Sequence, residues 1–404
     1  MQTDTSVEKA QQLLLDHLPP RKTETVSVLE ANGRTLAEDI FAGYDLPAAS
    51  QSAVDGYALG EGNLPINSTV QLKGQLGAGE VPEHRLEPGE AIGVLTGGSL
   101  PPNCQAVVPQ EKTSLAGLKL ELMEQIKPGQ NIKQAGEDFS SGDLLLSVGQ
   151  KIDPGAVALL SAFGINQITV FSKPRVGILS LGANIVSWEE EPKPGQVRDS
   201  NTPMLLALIG YQGGLAGDLE IAVADDNTDL SIKLRQMMAK NDIVICTGGS
   251  YFAAGSEAAT LFQAAGAQIF YWDVPIQPGS HTGGARYEDC MLFALSGNPA
   301  ACFVGYQLFV APVLLAMQGL NPGPVWIKAK CTNEFSKKTG SRRLVRGRAE
   351  YTSRGWEVTI LPGQKPSMLR SLINCNALID LSAGHPPLDE GMEVSVILLN
   401  NNIA

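Results

Sequence analysis

The sequence predicts a multidomain α/β protein. Three observations carry this: the length, strand and helix signals that alternate from about residue 173 to 320, and Gly- and Pro-punctuated strand runs on either side. At roughly one domain per 100–200 residues, 404 residues make two to four domains. The chain opens helical, with Thr5 and Glu8 at capping-box spacing and Ala10, Leu13, Leu14 and Leu18 in helical period until Pro19-Pro20. Short apolar runs at 70–72, 91–95, 106–108 and 118–122 then predict a β-rich module. Residues 154–163 read as a helix, with Pro154 at its start and Gly164 just past its end, and 168–170 as a short strand.

After Lys173-Pro174 come strands at 176–179, 221–223, 243–245, 269–272 and 291–295, with helices at 203–208 and 230–238 and a long apolar helix at 300–317. Continuous apolar strands between helices predict a parallel sheet covered on both faces, a three-layer α/β domain over 173–320. Asn321-Pro322-Gly323-Pro324 is a linker. Strand signals at 325–329, 344–348, 356–360, 377–379 and 394–399 make a small C-terminal all-β domain.

A hydrophobic fraction of 43% with 18% charged residues excludes a wholly disordered, collagenous or coiled-coil chain. The net charge of −12 opposes polyanions, so no nucleic-acid partner is expected. Six scattered cysteines (Cys104, Cys246, Cys290, Cys302, Cys331, Cys375) with no CxxC suit a reduced compartment. His17, His84, His281 and His385 stand alone, without zinc-ligand spacing. The first thirty residues carry Glu8, Lys9, Asp16 and Arg21, and no run reaches the roughly 18–20 apolar residues that span a bilayer. The expectation is a cytoplasmic protein with no membrane partner.

Three Gly-containing turns at strand ends are candidates to carry chemistry. Thr247-Gly248-Gly249-Ser250 ends one strand, and Gly there permits close backbone approach to an anion, or only a tight turn. Ser296-Gly297-Asn298-Pro299 and Leu181-Gly182 have the same character, and ligands of parallel sheets bind at such strand ends. Asp55, Asp138, Asp199 and Asp225-Asp226 lie in turns or just past strands, where carboxylates serve as turn caps or hold Mg²⁺ together with substrate phosphate. Positive charge clusters at Lys337-Lys338, Arg342-Arg343, Arg346 and Arg348, as a solvated face or a phosphate-facing rim.

Several segments in order resemble the MoeA family of molybdenum cofactor biosynthesis, to which the C-terminal domain of gephyrin belongs. They are Ser52-Ala53-Val54-Asp55-Gly56-Tyr57-Ala58, Leu95-Thr96-Gly97-Gly98, Ala106-Val107-Val108-Pro109-Gln110-Glu111, Gly136-Glu137-Asp138, Asp199-Ser200-Asn201, Thr247-Gly248-Gly249-Ser250 and Gly297-Asn298-Pro299-Ala300. The resemblance covers essentially the whole chain. It implies four parts: a discontinuous helical and linker domain (1–45 with 141–172), an inserted β-rich domain (46–140), a MogA-like three-layer α/β domain (173–320) and a C-terminal β-barrel-like domain (321–404). It implies a homodimer whose clefts are completed by the partner, and a MogA-like adenylyltransferase that supplies the substrate. The implied reaction takes adenylylated molybdopterin and molybdate, inserts molybdenum with Mg²⁺ and releases AMP.

Carried over by motif, Asp55, Thr96, Asp138 and Asp225 are catalytic. Asp199, Ser200, Asn201, Thr247, Gly248, Gly249, Ser250, Gly297, Asn298 and Pro299 bind the cofactor, and Asp225 binds the metal together with Glu257, which lies one position past the motif and serves only if the turn shifts. The sequence departs from the family at one predicted pocket. Ala183-Asn184 replaces an acidic pair, Ser256 stands for an active-site Asp, and Asp273, Gln277 and Ser280 replace three lysines expected to hold an oxyanion and phosphates. The alternative implied by these losses is a degenerate paralogue that binds a pterin, nucleotide or protein without turnover.

Overall fold

The computed structural model describes residues 5–83, 85–222, 230–249, 251–252 and 255–399. The chain forms two compact units, Val26–Ile168 and Met1–Thr25 with Thr169–Ala404.

In the first unit a six-stranded sheet runs in the order Cys104–Pro109, Gly56–Gly60, Glu90–Val94, Thr69–Gln75, Lys119–Leu122, Thr113–Ala116. Leu59, Val70, Ala106, Val108, Leu120 and Leu122 share one core cluster, and Ala58, Val94 and Val107 share another. Alternation along the strands therefore buries residues on both faces. Gly56 is required where it stands, because a Cβ there would lie 2.0 Å from the Val108 carbonyl oxygen. The predicted helix is present as Pro154–Ala162, capped by Asp153, whose carboxylate accepts from the Ala156 N–H at 2.8 Å.

The second unit contains a six-stranded sheet in the order Leu215–Ala222, Arg175–Leu181, Ile243–Gly248, Cys290–Leu295, Gly283–Tyr287, Gln268–Trp272. The first four strands are parallel, as expected. The last two are antiparallel, which corrects the expected all-parallel arrangement. Trp272 and Gly283 are joined by too few residues for a crossover helix, so the chain folds straight back on itself. Helix Asn201–Tyr211, the N-terminal helix Val7–Asp16 and the helical run from Pro299 to Met317 cover one face. Helices Leu230–Met238 and Glu257–Ala264 cover the other.

Ser6, not Thr5, caps the first helix, its Oγ accepting from the Lys9 N–H at 3.2 Å. Thr5 is itself buried. The predicted 300–317 helix is interrupted by a π-helical turn, Tyr306–Val310, just before Pro312. Proline lacks an N–H and its ring crowds the carbonyl four residues back, so the turn widens there. This run is the described helical segment long and apolar enough to cross a membrane, and it is 89% buried inside the fold.

The C-terminal strands Arg342–Thr352, Gly355–Ile360, Val325–Cys331, Glu393–Leu398 and Ala377–Leu381 form a closed five-stranded barrel, because Ala377–Leu381 pairs with both Glu393–Leu398 and Arg342–Thr352. Ile276–Gln277, from the α/β part, adds in parallel to Arg342–Arg343 at the barrel's edge. That pairing brings the loop after Trp272 against the barrel.

Candidate active site at the strand ends

Arg175–Leu181, Ile243–Gly248 and Cys290–Leu295 are adjacent and parallel, so their carboxyl ends open at one edge of the sheet. Gly248 takes φ +82°, and a Cβ on it would lie 2.3 Å from the Leu181 carbonyl oxygen. A Cβ on Gly297 would approach the Gly248 Cα to 3.2 Å. Two glycine turns thus pack backbone against backbone. With Gly249, Ala258, Trp272, His281, Ser296 and Asn298 they line a pocket of about 310 Å³.

A buried polar network sits behind these strand ends. Ser180 Oγ donates to Asp199 Oδ2 at 2.6 Å and lies 3.0 Å from Thr202 Oγ1 and 3.3 Å from Thr247 Oγ1. Thr202 Oγ1 donates to Asp199 Oδ2 at 2.7 Å, and the N–H groups of Asn201 and Thr202 donate to Oδ1 at 2.9 and 3.0 Å. Asn201 Nδ2 donates to the Gly297 carbonyl at 3.0 Å, which ties the helix start to the neighbouring turn. Asp199 therefore spends its carboxylate on four internal donors and positions the turns. Ser200 stands at the helix N-cap without a side-chain cap bond. Ser180 and Thr202, absent from the sequence-based site, complete this network.

A second pocket of about 310 Å³ lies between the Ile276–Ser280 segment and the barrel, lined also by Arg343, Leu344, Arg346, Gln364 and Pro366. Arg346 is 1% exposed. Its Nε donates to Ser371 Oγ at 3.1 Å and its Nη2 to the carbonyls of Gly363 and Lys365 at 3.3 and 3.4 Å. No carboxylate appears among its partners in the described residues, and burial pushes its pKa down to about 10, with the nearby Arg343 adding to the shift. It remains a cation at neutral pH. Arg343 donates to Gln277 Oε1, and its buried Nε has no acceptor among the described residues.

The other basic residues behave differently. Arg342 makes a two-pronged pair with Asp380, both bonds at 2.8 Å, and also pairs with Glu8. Arg348 pairs with exposed Glu350 at 2.7 Å. The cluster read as either face or rim therefore divides, with Arg343 and Arg346 turned to a pocket. Arg343 and Arg346 of the adjoining barrel strand line the same pocket as Gln277 and Ser280.

In the Val26–Ile168 unit, Asp55 Oδ1 accepts from the Thr96 N–H at 2.6 Å and from Thr96 Oγ1 at 2.9 Å, so the two motifs meet. These two donors, the backbone N–H first, hold the exposed Asp55 carboxyl below the usual carboxylate range. Asp138 is exposed on a turn whose main chain bonds to Leu46 at 3.1 Å. Thr96→Val is expected to move the Asp55 pKa upward, partway to the ordinary value, in an NMR titration of that carboxyl. A depressed folded pKa stabilises above the unfolded value and is lost as pH falls through the folded one, so the variant loses this contribution at a higher pH. An unchanged titration would show that the hydroxyl bond does not act on Asp55.

Asp225 and Ser250 lie outside the described residues, and Glu257 is the half-buried first residue of helix Glu257–Ala264. Among the described residues no three His, Cys, Asp or Glu side chains gather as a metal site. Burial raises the thiol pKa of Cys246 and Cys302 and raises that of Cys375 to about 11, so none of these is poised as a thiolate nucleophile. His281 is outside the sequence-derived site, because an isolated His carries no motif, and Arg343 is legible there only as part of a basic cluster with two open readings.

Fold and pockets define a class: a doubly covered α/β sheet with a strand-end ligand pocket, fused to a barrel that adds a cationic pocket. Family models match consistently: MoeA N-terminal region (domain I and II) over residues 5–164, Probable molybdopterin binding domain over 177–316, and MoeA C-terminal region (domain IV) over 328–399. The chain belongs to the MoeA family. It is 31% identical over 413 residues to a protein of Staphylococcus epidermidis named molybdopterin molybdenumtransferase, covering 99% of this chain and 97% of that one. A Bacillus subtilis protein of the same name is 32% identical over 389 residues, covering 94% and 90%. A solved molybdopterin biosynthesis MoeA protein from Pyrococcus horikosii superposes with TM-score 0.86 at 27% identity, covering 98% of this chain and 100% of that one.

Proposed function

We propose that this chain is a molybdopterin molybdenumtransferase, which inserts molybdenum from molybdate into adenylylated molybdopterin and releases AMP. One observation carries the reading most directly. Buried Arg346, with no carboxylate partner among the described residues, lines together with Arg343 a pocket that one loop separates from the strand-end pocket. A buried cation without a counter-ion favours a bound anion, and a planar guanidinium suits an oxyanion. Molybdate is a substrate of matching charge. The strand-end pocket offers the Gly248-Gly249 and Ser296–Asn298 turns to a phosphate group.

Water cleaves the phosphoanhydride of the adenylylated substrate, and AMP leaves. The two dithiolene thiols then bond to molybdenum as one molybdate oxygen departs with their protons as water. Arg346 and Arg343 hold the oxyanion, while the Asp199 network fixes the turns that hold the phosphate. Asp55, Thr96 and Asp138 are the catalytic candidates of the other unit.

The described residues gather no ligand set for magnesium, Asp225 lies outside them, and this ion is commonly held largely by substrate phosphate and water. A cytoplasmic homodimer fed by a MogA-like adenylyltransferase belongs to the same reading, testable by light scattering and by co-purification.

The test is AMP release from adenylylated molybdopterin by purified protein, with and without molybdate. Molybdate-stimulated release is expected. Release indifferent to molybdate, or none with ligand bound, would overturn the reading.

A further inference from the structure

The pocket beside the barrel is lined by two glutamines, and their amides are used differently. Gln364 is spent inside the fold: its Oε1 accepts from the Arg346 N–H at 3.1 Å, and its Nε2 donates to the carbonyls of Arg346 and Leu361, both at 2.8 Å. Gln277 uses one end only. Its Oε1 accepts from Arg343 Nη2, and its Nε2 has no acceptor among the described residues.

A guanidinium stays protonated and only donates, so the atom that meets Arg343 is the amide oxygen and the end left over is the NH2 group. A carboxamide does not titrate, so no choice of protonation state enters. The backbone sets the pair in place, because Ile276–Gln277 runs parallel to Arg342–Arg343 with Gln277 opposite Arg343. Ile276 is buried in the core, and strand alternation turns Gln277 the other way, where it is exposed. The bond between Gln277 and Arg343 therefore joins the loop wall of the pocket to its barrel wall.

A separate observation points to an anion. No Asp or Glu stands among the described residues that line this pocket, whereas two arginines do, and buried Arg346 bonds only to a hydroxyl and two carbonyls. A tetrahedral oxyanion presents acceptors in several directions, more than two planar guanidinium groups satisfy.

We infer that Gln277 is a specificity-determining contact for the oxyanion: Arg343 occupies its acceptor, so that only the amide NH2 is offered to the bound anion. A fully ionised oxyanion such as molybdate accepts from it, whereas the O–H of hydrogen phosphate finds no acceptor there. The inference rests on the proposed reading of this pocket and names the residue that selects among its anions.

The test uses the full-length protein with molybdate and inorganic phosphate as probes, by isothermal titration calorimetry at mildly alkaline pH, where phosphate keeps one proton and molybdate none. Gln277→Met removes the donor at similar length and is expected to weaken molybdate binding by about 10–100-fold, the loss of one hydrogen bond to a charged group. Gln277→Glu still bonds to Arg343 but offers an acceptor in place of the donor. It is expected to lower the ratio of molybdate to phosphate affinity by at least about tenfold; the charge it adds acts on both anions alike, so the ratio isolates the hydrogen bond. Gln277 is exposed, so an unchanged thermal transition of the ligand-free variants is expected.

If the unaltered protein does not bind molybdate, or Arg346→Gln binds it as tightly, the reading of the pocket fails and the inference with it. If molybdate binding depends on Arg346 but Gln277→Met binds as tightly as the original, the inference alone fails. If Gln277→Glu keeps the original molybdate affinity, Gln277 only ties the loop to the barrel. Equal losses of both anions in Gln277→Glu would refute the selection by donor direction.

Discussion

Arg346→Gln is expected to weaken molybdate stimulation of AMP release by at least about 30-fold in apparent molybdate affinity, with little change in stability. The affinity loss follows from removing one partner of a desolvated charge contact, which typically costs about 2–5 kcal/mol. The stability effect is small because two terms oppose each other. The variant removes a buried cation that has no carboxylate partner among the described residues, which relieves a desolvation penalty. It also leaves Ser371 Oγ and the carbonyls of Gly363 and Lys365 without their donor.

Molybdate should raise the thermal transition of the original protein and not that of the variant, since a ligand stabilises only the state that binds it. Arg346→Lys should fall between, keeping the charge but losing the planar fork. Molybdate stimulation that survives in Arg346→Gln would remove this pocket from the reaction.

The second large effect is expected at Asp199. Asp199→Ala leaves two hydroxyls and two backbone N–H groups without their acceptor inside the fold, and is expected to destabilise the protein by roughly 3 kcal/mol in denaturant unfolding. Asp199→Asn preserves the shape and an oxygen for the two N–H groups, and the hydroxyls can turn to accept from its amide. Its expected cost is about 1 kcal/mol, with AMP affinity close to the original. That pattern identifies a residue that positions the turns. The opposite pattern, full stability with lost AMP affinity in Asp199→Asn, would make Asp199 a direct ligand contact.

Much of the fold was legible because it rests on local signals. The Pro154 to Gly164 helix carries proline and glycine at its two ends, and the 173–320 region alternates apolar strands with helices. The Asp55 motif could be read because Gly56 meets a steric demand that no other residue satisfies, and the Asp55–Thr96 contact joins two motifs already singled out. Strand Gly283–Tyr287 was missed. Its Gly-Gly start reads as a turn, yet those glycines lie under the rings of Trp272 and Tyr271, where a Cβ would come within 2.5 Å or less. Packing, not propensity, makes that segment a strand.

The sequence by itself determined the family, the order of the elements and the glycine turns at the strand ends, because each is encoded in neighbouring residues through periodicity, capping and backbone freedom. Only the tertiary structure decided which charges face a pocket. Arg343 and Arg346 look equivalent to Arg342 and Arg348 along the chain, yet closure of the barrel and its pairing with Ile276–Gln277 turn the first two to a cavity and the others to Asp380 and Glu350. His281 meets Asp273 only because the sheet reverses between them. Desolvation and counter-ion distance are properties of a three-dimensional neighbourhood, so the fate of a charge is settled by burial and partners that lie far away in the chain.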